Sequence, residues 1–350
     1  MEKGFWKNLK KPIIGLAPMD GITDAPFRQM IALYGKPDII TTEFISAEGI
    51  KHGAIKPMSA LIYSKIEQPI LAQVFGSDPE SFYKSALVFC ELGFNGIDIN
   101  MGCPAKNVAA RGSGAALIQK PKLAKEIIRE TMRGAQDWAN GKKIDDCGLT
   151  NKILTHIKET GPKTTKRKLL PISIKTRIGY NSKCAEEWIK HLLELKPANI
   201  SIHGRTLKQM YTGTADWEEI ARAANIARGS ETTILGNGDI ESIQDGLNKV
   251  KQYKVDGFLI GRAAFGNPWI FNKEKQEITL QDRIEAAIKH SKLYEEIFGN
   301  KFFMPMRKHL AWYLKGFHGA SEIRKKLMQT SGAQEVKEVL QYAHESDHGT

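Results

Sequence analysis

The sequence has few cysteines, no long apolar run and fewer acidic than basic residues. Its four cysteines, Cys90, Cys103, Cys147 and Cys184, include no C-x-x-C pair, which argues against a zinc site and against a disulfide framework. No window reaches the roughly 18 uninterrupted apolar residues that a membrane span needs, and the N-terminal MEKGFWKNLKKP has no long apolar core. We therefore expect a soluble, cytoplasmic protein with no metal site and no membrane segment.

Strand-like and helix-like segments alternate along most of the chain. Eight short apolar runs are each followed by a loop and a helical pattern, and eight such units close a (β/α)8 TIM barrel within roughly 250 residues. An open doubly wound sheet is the main alternative, but it usually has a G-x-G-x-x-G turn after its first strand, and here that strand leads into APMDGITD. The predicted strands are residues 13–19, 38–44, 70–75, 96–100, 172–178, 199–204, 232–237 and 255–261.

After residue 271 the strand pattern stops and helical periodicity begins. We predict a barrel domain over residues 1–276 and a smaller all-helical domain over residues 277–350. Between Lys301 and Lys326 the second domain has seven basic residues against one acid, interleaved with aromatic side chains. A solvated helix face is one interpretation. Nucleic-acid contact is the other, because cations bind phosphates and aromatic rings stack on bases.

The charge of the whole chain is strongly positive. Lys and Arg number 51 against 39 Asp and Glu, a formal net charge of +12, which favours a polyanionic partner over a small-molecule role. Ordinary solubility charge is the alternative interpretation. Residues from about 133 to 168 lie between the fourth and fifth predicted strands and have nine basic residues against four acids. This segment is too long for one crossover helix, so we predict a basic insertion that is either solvated and partly disordered or in contact with RNA.

Chemically capable residues follow the predicted strands. In a barrel of this kind the reactive groups lie at the C-terminal ends of the strands, and random placement would scatter polar residues over both ends. The residues at these ends are Pro18, Met19, Asp20, Glu43, Gln73, Asn100, Cys103, Lys175, Arg177, His203, Arg205, Asn237, Gly238, Asp239, Gly261 and Arg262.

Two adjacent strand ends are rich in glycine. The seventh predicted strand leads into GNGD and the eighth into IGRAAFGNP. Glycines let backbone amides approach an anion, and loops at this position commonly bind phosphate in barrels. Tight turns would explain each glycine alone, but the pair favours a phosphate-bearing cofactor or substrate.

Lys175 and Cys103 each allow more than one role. Lys175 could form a Schiff base, bind phosphate, or place a cation beside an electron-accepting ring. Gln73 and His203 offer hydrogen-bonding groups that suit the edge of a flavin. Cys103, between Gly102 and Pro104, could donate a proton or attack a carbon, whereas Cys90 fits a small buried apolar residue in a helical pattern.

Together these motifs resemble the tRNA-dihydrouridine synthase family, closest to its bacterial B-type branch. MRKHLAWYLKG (306–316) resembles the family's C-terminal helical domain, and the resemblance covers nearly the whole chain in order. The other matching segments are LAPMDGITDAPFR (16–28), QVFGSDPE (73–80), DINMGCPAKNVAARGSGAAL (98–117), IKTRIGY (174–180), IHGRTLKQMYTGTADW (202–217), NGDI (237–240) and IGRAAFGNPWIF (260–271).

The resemblance implies an FMN-dependent enzyme that reduces the 5,6 double bond of uridine in tRNA, with NADPH or NADH reducing the flavin again. It implies that Cys103 is the general acid. FMN would contact Pro18, Met19, Asp20, Gln73, Lys175, His203, Asn237, Gly238, Asp239, Gly261 and Arg262. The tRNA would contact Asn100, Arg177, Arg205, Arg307, Lys308 and Lys315.

Three other functions compete with this one. They are a flavin barrel acting on a free small molecule, a Schiff-base aldolase that uses Lys175, and an RNA-binding protein with vestigial chemistry. Two departures from the family pattern are the acid at Asp20, where a small residue is frequent, and the length of the 133–168 segment. We expect a monomer.

Overall fold

The computed structural model describes residues 3–161, 167–275, 277–315 and 319–347. Helices and strands alternate through its first three quarters, and helices follow. The strands are β1 (Ile13–Leu16), β2 (Ile40–Ser46), β3 (Ile70–Phe75), β4 (Gly96–Met101), β5 (Ile172–Gly179), β6 (Asn199–Thr206), β7 (Thr233–Asn237) and β8 (Gly257–Ile260). The helices are α1 (Ala25–Gly35), α2 (Ala47–Lys51), α3 (Pro79–Glu91), α4 (Lys106–Ala109), α5 (Pro121–Ala139), α6 (Asn151–Thr160), α7 (Ala185–Leu193), α8 (Trp217–Ile226), α9 (Ile243–Tyr253), α10 (Leu280–Phe298), α11 (Met306–Tyr313), α12 (Ala320–Leu327) and α13 (Ala333–Asp347).

The eight strands form one parallel sheet that closes on itself. Hydrogen-bonded neighbours follow the order β1-β8-β7-β6-β5-β4-β3-β2. The two ends of this order meet where Gly15 bridges Ile39. There Leu16 N donates to Ile39 O at 3.0 Å, and Asp38 N donates to Ile14 O at 2.8 Å. The predicted (β/α)8 barrel is therefore confirmed.

Side-chain caps set where several helices begin. Asp24 accepts a hydrogen bond from Phe27 N at 2.9 Å before α1, and Asp216 accepts one from Glu219 N at 2.9 Å before α8. Thr279 and Asp282 form a reciprocal capping box at the start of α10. Such caps satisfy backbone N–H groups that have no partner within the helix, so local sequence fixes these starts.

The barrel interior changes character along the strands. Leu71, Leu235 and Leu259 point inward and pack with Trp6, which is 4% exposed. Successive inward positions on a strand are two residues apart. Two residues beyond Leu71 comes Gln73, and two beyond Leu235 comes Asn237. The barrel thus has apolar side chains toward the strand starts and polar ones toward the C-terminal ends.

The described residues pack into two compact units. Unit 1 is drawn from Met1–Asp20, Asp38–Ile62 and Gln68–Gly261, and unit 2 from Gly21–Pro37, Tyr63–Glu67 and Arg262–Thr350. Helix α1, which follows the first strand, therefore packs with the C-terminal helices. The predicted domain boundary at residue 276 stays a prediction, because packing does not show which segment folds alone.

The predicted basic insertion is largely helical where it is described. Residues up to Ala139 complete α5, and Asn151–Thr160 form α6. Arg133 lies over the ring of Tyr83, with 4.0 Å between its guanidinium carbon and the ring centroid, and Arg167 lies similarly over Trp138 at 4.8 Å. Lys163 and Lys166 are outside the described residues. Part of the segment's charge is thus used in packing, and its contact with RNA stays a prediction.

Within the described residues, no helix is long and apolar enough to cross a membrane.

Unit 2 contains a fully buried ion pair. Arg28 Nε donates to Glu67 Oε2 at 2.7 Å, and neither side chain has exposed surface. Arg28 Nη1 also donates to Thr23 O at 2.7 Å, while Glu67 Oε1 accepts from Ser64 N at 2.7 Å. A buried charge needs both a counter-charge and hydrogen bonds, so this pair fixes α1 to the segment containing Glu67.

We expect Glu67→Gln to lower the free energy of unfolding by about 3–5 kcal/mol, because it leaves a buried guanidinium without its counter-charge. Urea titration of both proteins measures the difference. Asp145→Asn is the matched control: Asp145 pairs with Lys158 at 2.8 Å, but both side chains are more than half exposed. Its cost should be much smaller, because exposed ion pairs contribute little to stability. Equal costs for the two variants would contradict the prediction.

Candidate active site

Polar side chains converge where the central strands end. The strand register pairs Asn100 of β4 with Lys175 of β5, and Arg177 of β5 with His203 of β6. His203 is in turn paired with Asn237 of β7. The structure therefore brings these five predicted site residues together, because residues in register on adjacent strands point the same way.

A chain of hydrogen bonds runs from the barrel interior to the loop that contains Cys103. Gln73 Nε2 donates to Asp98 Oδ2 at 2.7 Å, and Asn100 Nδ2 donates to Gln73 Oε1 at 3.0 Å. Asn100 Oδ1 then accepts from Gly102 N at 3.0 Å and from Cys103 N at 2.9 Å. We call these links the Asp98 hydrogen-bond chain. Its three side chains are each at most 6% exposed.

Asp98 was missed by the sequence analysis, which considered only the ends of strands. It lies on the inward face of β4, two residues before Asn100. Burial raises the pKa of Asp98 to about 7, and the hydrogen bond from Gln73 and the charge of Lys175 act in the opposite direction. The signal that could have found it was alternation: in DINMGCP, Asp98 and Asn100 must share a face.

Cys103 is 9% exposed, on the loop after β4. Burial raises the pKa of its thiol, and the charge of Asp20 raises it further. A backbone hydrogen bond from Ala105 and the cations Arg177 and Lys175 act in the opposite direction. The thiol is therefore protonated at neutral pH, which a proton donor requires, and it has groups nearby that stabilise the thiolate.

The loop after Cys103 packs closely against it. Gly114 has φ +59°, and a Cβ there would lie 3.0 Å from Cys103 O and 3.2 Å from Cys103 Cβ. Ala115 N also donates to Cys103 O at 3.2 Å. A side chain at position 114 would push on the residue that contains the thiol, so the glycine in GSGAAL has a local structural reason.

Lys175 is a half-buried cation of the site. Its Nζ donates to Asn237 Oδ1 at 3.2 Å, and Asn237 Nδ2 donates to Leu259 O at 2.9 Å. Burial lowers the pKa of Lys175 to about 8, and the nearby charge of Arg177 lowers it further. Asn237 therefore orients the ammonium group of Lys175, and both polar atoms of its side chain already have a hydrogen-bond partner within the protein.

Arg177 and Arg205 hold loops in place. Arg177 Nε donates to Gly102 O at 2.7 Å, and its Nη1 donates to Thr206 O at 3.1 Å. Burial lowers the pKa of Arg177 to about 10. Arg205 Nη2 donates to Asp239 Oδ2 at 2.6 Å, and both arginines are 3% exposed. The contacts of Arg177 and Arg205 to a nucleotide stay a prediction. Their hydrogen bonds within the protein were not predicted from the sequence.

The first glycine-rich loop has an unusual backbone at the end of β7. Gly238 has φ +122° and Asp239 has φ +51°. A Cβ at Gly238 would lie 2.6 Å from Ala215 Cβ and 3.0 Å from His203 Cδ2. Asp239 Oδ2 accepts from Ala215 N at 2.7 Å as well as from Arg205. Only glycine allows the backbone this close to β6 at that dihedral angle.

The remaining predicted contacts lie at the ends of β1 and β8. Pro18 and Met19 are half-buried and Asp20 is exposed. A Cβ added at Gly261 would make ordinary contact with Met19 Sδ at 3.5 Å. Arg262 belongs to unit 2, and its place in a phosphate site stays a prediction. Arg307, Lys308 and Lys315 are also in unit 2.

Two clefts lie near the N-terminal ends of the strands, away from the candidate active site. One of about 650 Å³ includes Lys3, Lys7 and Lys11, and another of about 810 Å³ includes Phe5 and Trp138. Neither includes a predicted site residue. The described residues contain no group of three or more His, Cys, Asp or Glu side chains that could hold a metal ion, and the prediction that the protein has no metal stays a prediction.

Comparison with known proteins identifies relatives over nearly the whole chain. The family model described as dihydrouridine synthase (Dus) matches residues 15–143 and 150–347. The chain is 35% identical over 347 residues to the probable tRNA-dihydrouridine synthase 2 of Bacillus subtilis, covering 97% of this chain and 96% of that protein. It is 34% identical to the probable tRNA-dihydrouridine synthase of Staphylococcus aureus strain MRSA252, covering 97% and 95%. Among solved structures, a morphinone reductase aligns with TM-score 0.47 and 9% identity over 77% of this chain and 87% of that chain.

We expect Lys175→Met to change how stability depends on pH in the flavin-free protein. The pKa of Lys175 is about 8 in the fold against an ordinary 10.5, so between these values the unfolded chain binds a proton that the folded chain lacks. Stability from this group therefore rises with pH over that window. The wild type should gain up to about 3 kcal/mol relative to the variant between pH 8 and 10.5, an upper bound because the side chain keeps some contact with water.

Urea titrations at several pH values measure this difference. Lys251→Met is the control, because it makes the same substitution at an exposed lysine on α9, outside the site. A difference in unfolding free energy between the wild type and Lys175→Met that stays constant from pH 8 to 10.5 would contradict the prediction.

Proposed function

The chain belongs to the dihydrouridine synthase family, and from that premise we propose that it is a flavin-dependent oxidoreductase that reduces uridine in tRNA to 5,6-dihydrouridine. One observation carries the chemical part of the proposal. Cys103, whose thiol is protonated, donates its backbone N–H to Asn100 Oδ1, and Asn100 of β4 is paired in register with Lys175 of β5. A proton donor and a cation beside one opening suit reduction of a polarised double bond.

FMN is the flavin that the residues suit. Gly238 and Gly261 follow β7 and β8, the strand ends at which barrels commonly bind phosphate, and we propose their backbone N–H groups as contacts to the phosphate of FMN. Lys175, Gln73 and His203 supply a cation and amide or imidazole groups for a ring with several heteroatoms. Pro18, Met19, Asp20, Asn237, Asp239 and Arg262 complete the proposed contacts.

A reduced flavin held by these residues would supply the hydride for one carbon of the 5,6 double bond. Cys103 holds the matching proton on Sγ and transfers it to the other carbon, so that two hydrogens are added and the double bond becomes single. The thiolate left on Cys103 is stabilised by the Ala105 amide and the charges of Arg177 and Lys175. Solvent must then return the proton to Sγ before the next turnover.

A base inside a folded tRNA cannot enter this opening without leaving its stack. We propose that the substrate is a uridine in a loop, where unstacking costs least. Asn100, Arg177 and Arg205 line or brace the mouth and are the proposed contacts to the nucleotide. NADPH or NADH would reduce the flavin, and the monomeric state and the cytoplasmic location stay predictions.

Unit 2 is the proposed tRNA-binding part, and its basic residues differ in availability. Arg307 Nε donates to Thr330 O at 3.0 Å, and Lys308 Nζ donates to Gly21 O. Lys315 is exposed, as are Lys301, Lys325 and Lys326. Exposed cations are those best able to replace the counterions of a phosphate backbone. Lys315 is thus the clearest of the three proposed contacts.

A lysine whose pKa is about 8 also suits a Schiff-base aldolase. It gives no role to the thiol of Cys103 or to the bonds that hold its loop. Membership of the family also favours the flavin enzyme.

We expect Cys103→Ala to keep FMN and tRNA binding but to lose about 10²–10⁴-fold in turnover, the usual contribution of a general acid. The measurements are flavin absorbance, tRNA affinity, and dihydrouridine formed in tRNA from a strain that lacks the gene. Cys184→Ala is the control, because Cys184 precedes α7 and is not part of the site. Near wild-type dihydrouridine formation by Cys103→Ala would remove the proton-donor role.

We expect Lys315→Glu to weaken tRNA binding and to reduce the slope of log K against log salt by about 1, because one phosphate contact is lost. Lys251→Glu makes the same change of charge on exposed α9 of unit 1 and controls for net charge. Affinity measured at several salt concentrations separates the two variants. If both shift the slope equally, the effect is one of overall charge and Lys315 is not a contact.

A further inference from the structure

We propose that Asp98 is a positioning residue for Cys103: as a hydrogen-bond acceptor buried inside the barrel, it fixes the orientation of Gln73 and Asn100 and thereby the loop that contains the thiol. The proposal rests on the proposed function for its catalytic consequence, but its structural part concerns the chain alone. No atom of Asp98 needs to touch flavin or uridine.

The Asp98 hydrogen-bond chain is continuous and buried. Its donor–acceptor distances are 2.7 Å from Gln73 to Asp98, 3.0 Å from Asn100 to Gln73, and 2.9 Å from the Cys103 amide to Asn100. Asp98 is 3% exposed and Gln73 is 1% exposed. Water cannot readily replace a lost partner at such depth, so each link depends on the one before it.

The donors and acceptors of the Asp98 hydrogen-bond chain can be arranged in only one direction. The Cys103 and Gly102 amides can only donate, so Asn100 must turn its oxygen toward them and its NH2 toward Gln73. Gln73 must then present its oxygen to Asn100 and its NH2 to position 98. That NH2 needs an acceptor, which a carboxylate oxygen supplies. The acceptor at Asp98 thus selects the amide orientations that satisfy both loop N–H groups.

Gln73 is further fixed through its backbone, since Gln73 N donates to Thr42 Oγ1 at 3.0 Å. Its side chain can therefore adjust only by rotation about its own bonds. If the acceptor at position 98 is lost, rotation of the Gln73 amide becomes the way to re-pair its NH2, and Asn100 loses its partner. The loop from Gly102 to Cys103 would then lose its two anchoring hydrogen bonds.

A different role for Asp98 is as a counter-charge for Lys175, whose charge acts on it. The two roles make opposite predictions for Asp98→Asn. The amide oxygen of asparagine still accepts from Gln73, so hydrogen bonding survives while the negative charge is lost. Asp98→Leu loses both at similar volume. Comparing these two variants therefore separates an acceptor from a counter-charge.

The first measurement is the rate at which iodoacetamide alkylates Cys103 in flavin-free protein, followed by mass spectrometry of the Cys103 peptide. We expect Asp98→Leu to raise this rate at least about tenfold, because a freed loop exposes a thiol that is now buried. Asp98→Asn should stay within about threefold of the wild type, as expected when the hydrogen bond is kept.

Ser173→Ala is the matched control. Ser173 is paired in register with Asp98 on β5, is fully buried, and its Oγ has no hydrogen-bond partner among the described residues. Ser173→Ala perturbs the same layer of the barrel but removes no link of the Asp98 hydrogen-bond chain. The alkylation rate of Cys103 should therefore again stay within about threefold of the wild type.

The second measurement separates the two half-reactions per bound flavin. In Asp98→Leu, oxidation of the reduced flavin by tRNA should slow about 100-fold more than reduction of the flavin by NADPH or NADH, because only the oxidation takes a proton from the misplaced Cys103. If wild-type protein reduces no uridine in tRNA, the proposed function fails, and the alkylation rates still show whether Asp98 positions the loop that contains Cys103.

Two results would overturn the proposal. One is an alkylation rate for Asp98→Leu within about threefold of the wild type, and the other is an equal rise in Asp98→Asn, which would assign the effect to charge. If Asp98→Leu does not fold, Gln73→Leu breaks the chain one link closer to Cys103. An unchanged alkylation rate in that variant overturns the proposal equally.

Discussion

Polar groups buried inside the barrel must find partners within it, and the site depends on that constraint. An unpaired buried donor costs about 1–3 kcal/mol, and the mouth of the barrel holds several donors away from water. Gln73, Asn100 and Asn237 each use their side-chain amides to bind another group of the site. The geometry of the mouth is therefore fixed before any ligand arrives, which is what catalysis by a positioned proton donor requires.

Burial has opposite consequences for the acids and the cations of this mouth. It raises the pKa of the Cys103 thiol and of Asp98, and it lowers the pKa of Lys175 and Arg177. Both shifts favour the neutral form of the group. The site thus contains a protonated thiol and a lysine near its titration point, so that a proton can leave Sγ while nearby cations stabilise the charge that remains.

The sequence predicted the sheet and most of the mouth, because alternation and strand ends are local signals. Eight apolar runs corresponded to β1 to β8, and inward positions at their ends met through strand register. What it missed depends on three-dimensional packing. Asp98 was missed because it lies inside the barrel, and the bonds of Arg177 to Gly102 and Thr206 join segments far apart in sequence. That α1 packs with the C-terminal helices also has no local signal, because α1 (Ala25–Gly35) and α10 (Leu280–Phe298) lie far apart in the sequence.

The number of basic residues overstates how many cations are available to contact RNA. Several of the basic side chains noted in the sequence have structural tasks: Arg133 and Arg167 lie over aromatic rings, and Arg307 binds the Thr330 carbonyl. A cation already bound to a carbonyl must exchange that bond for one to phosphate, so its net gain on binding RNA is smaller. Lys315, by comparison, is exposed. Contacts to a polyanion should therefore be sought first among exposed lysines of unit 2, even though guanidinium groups generally bind phosphate better.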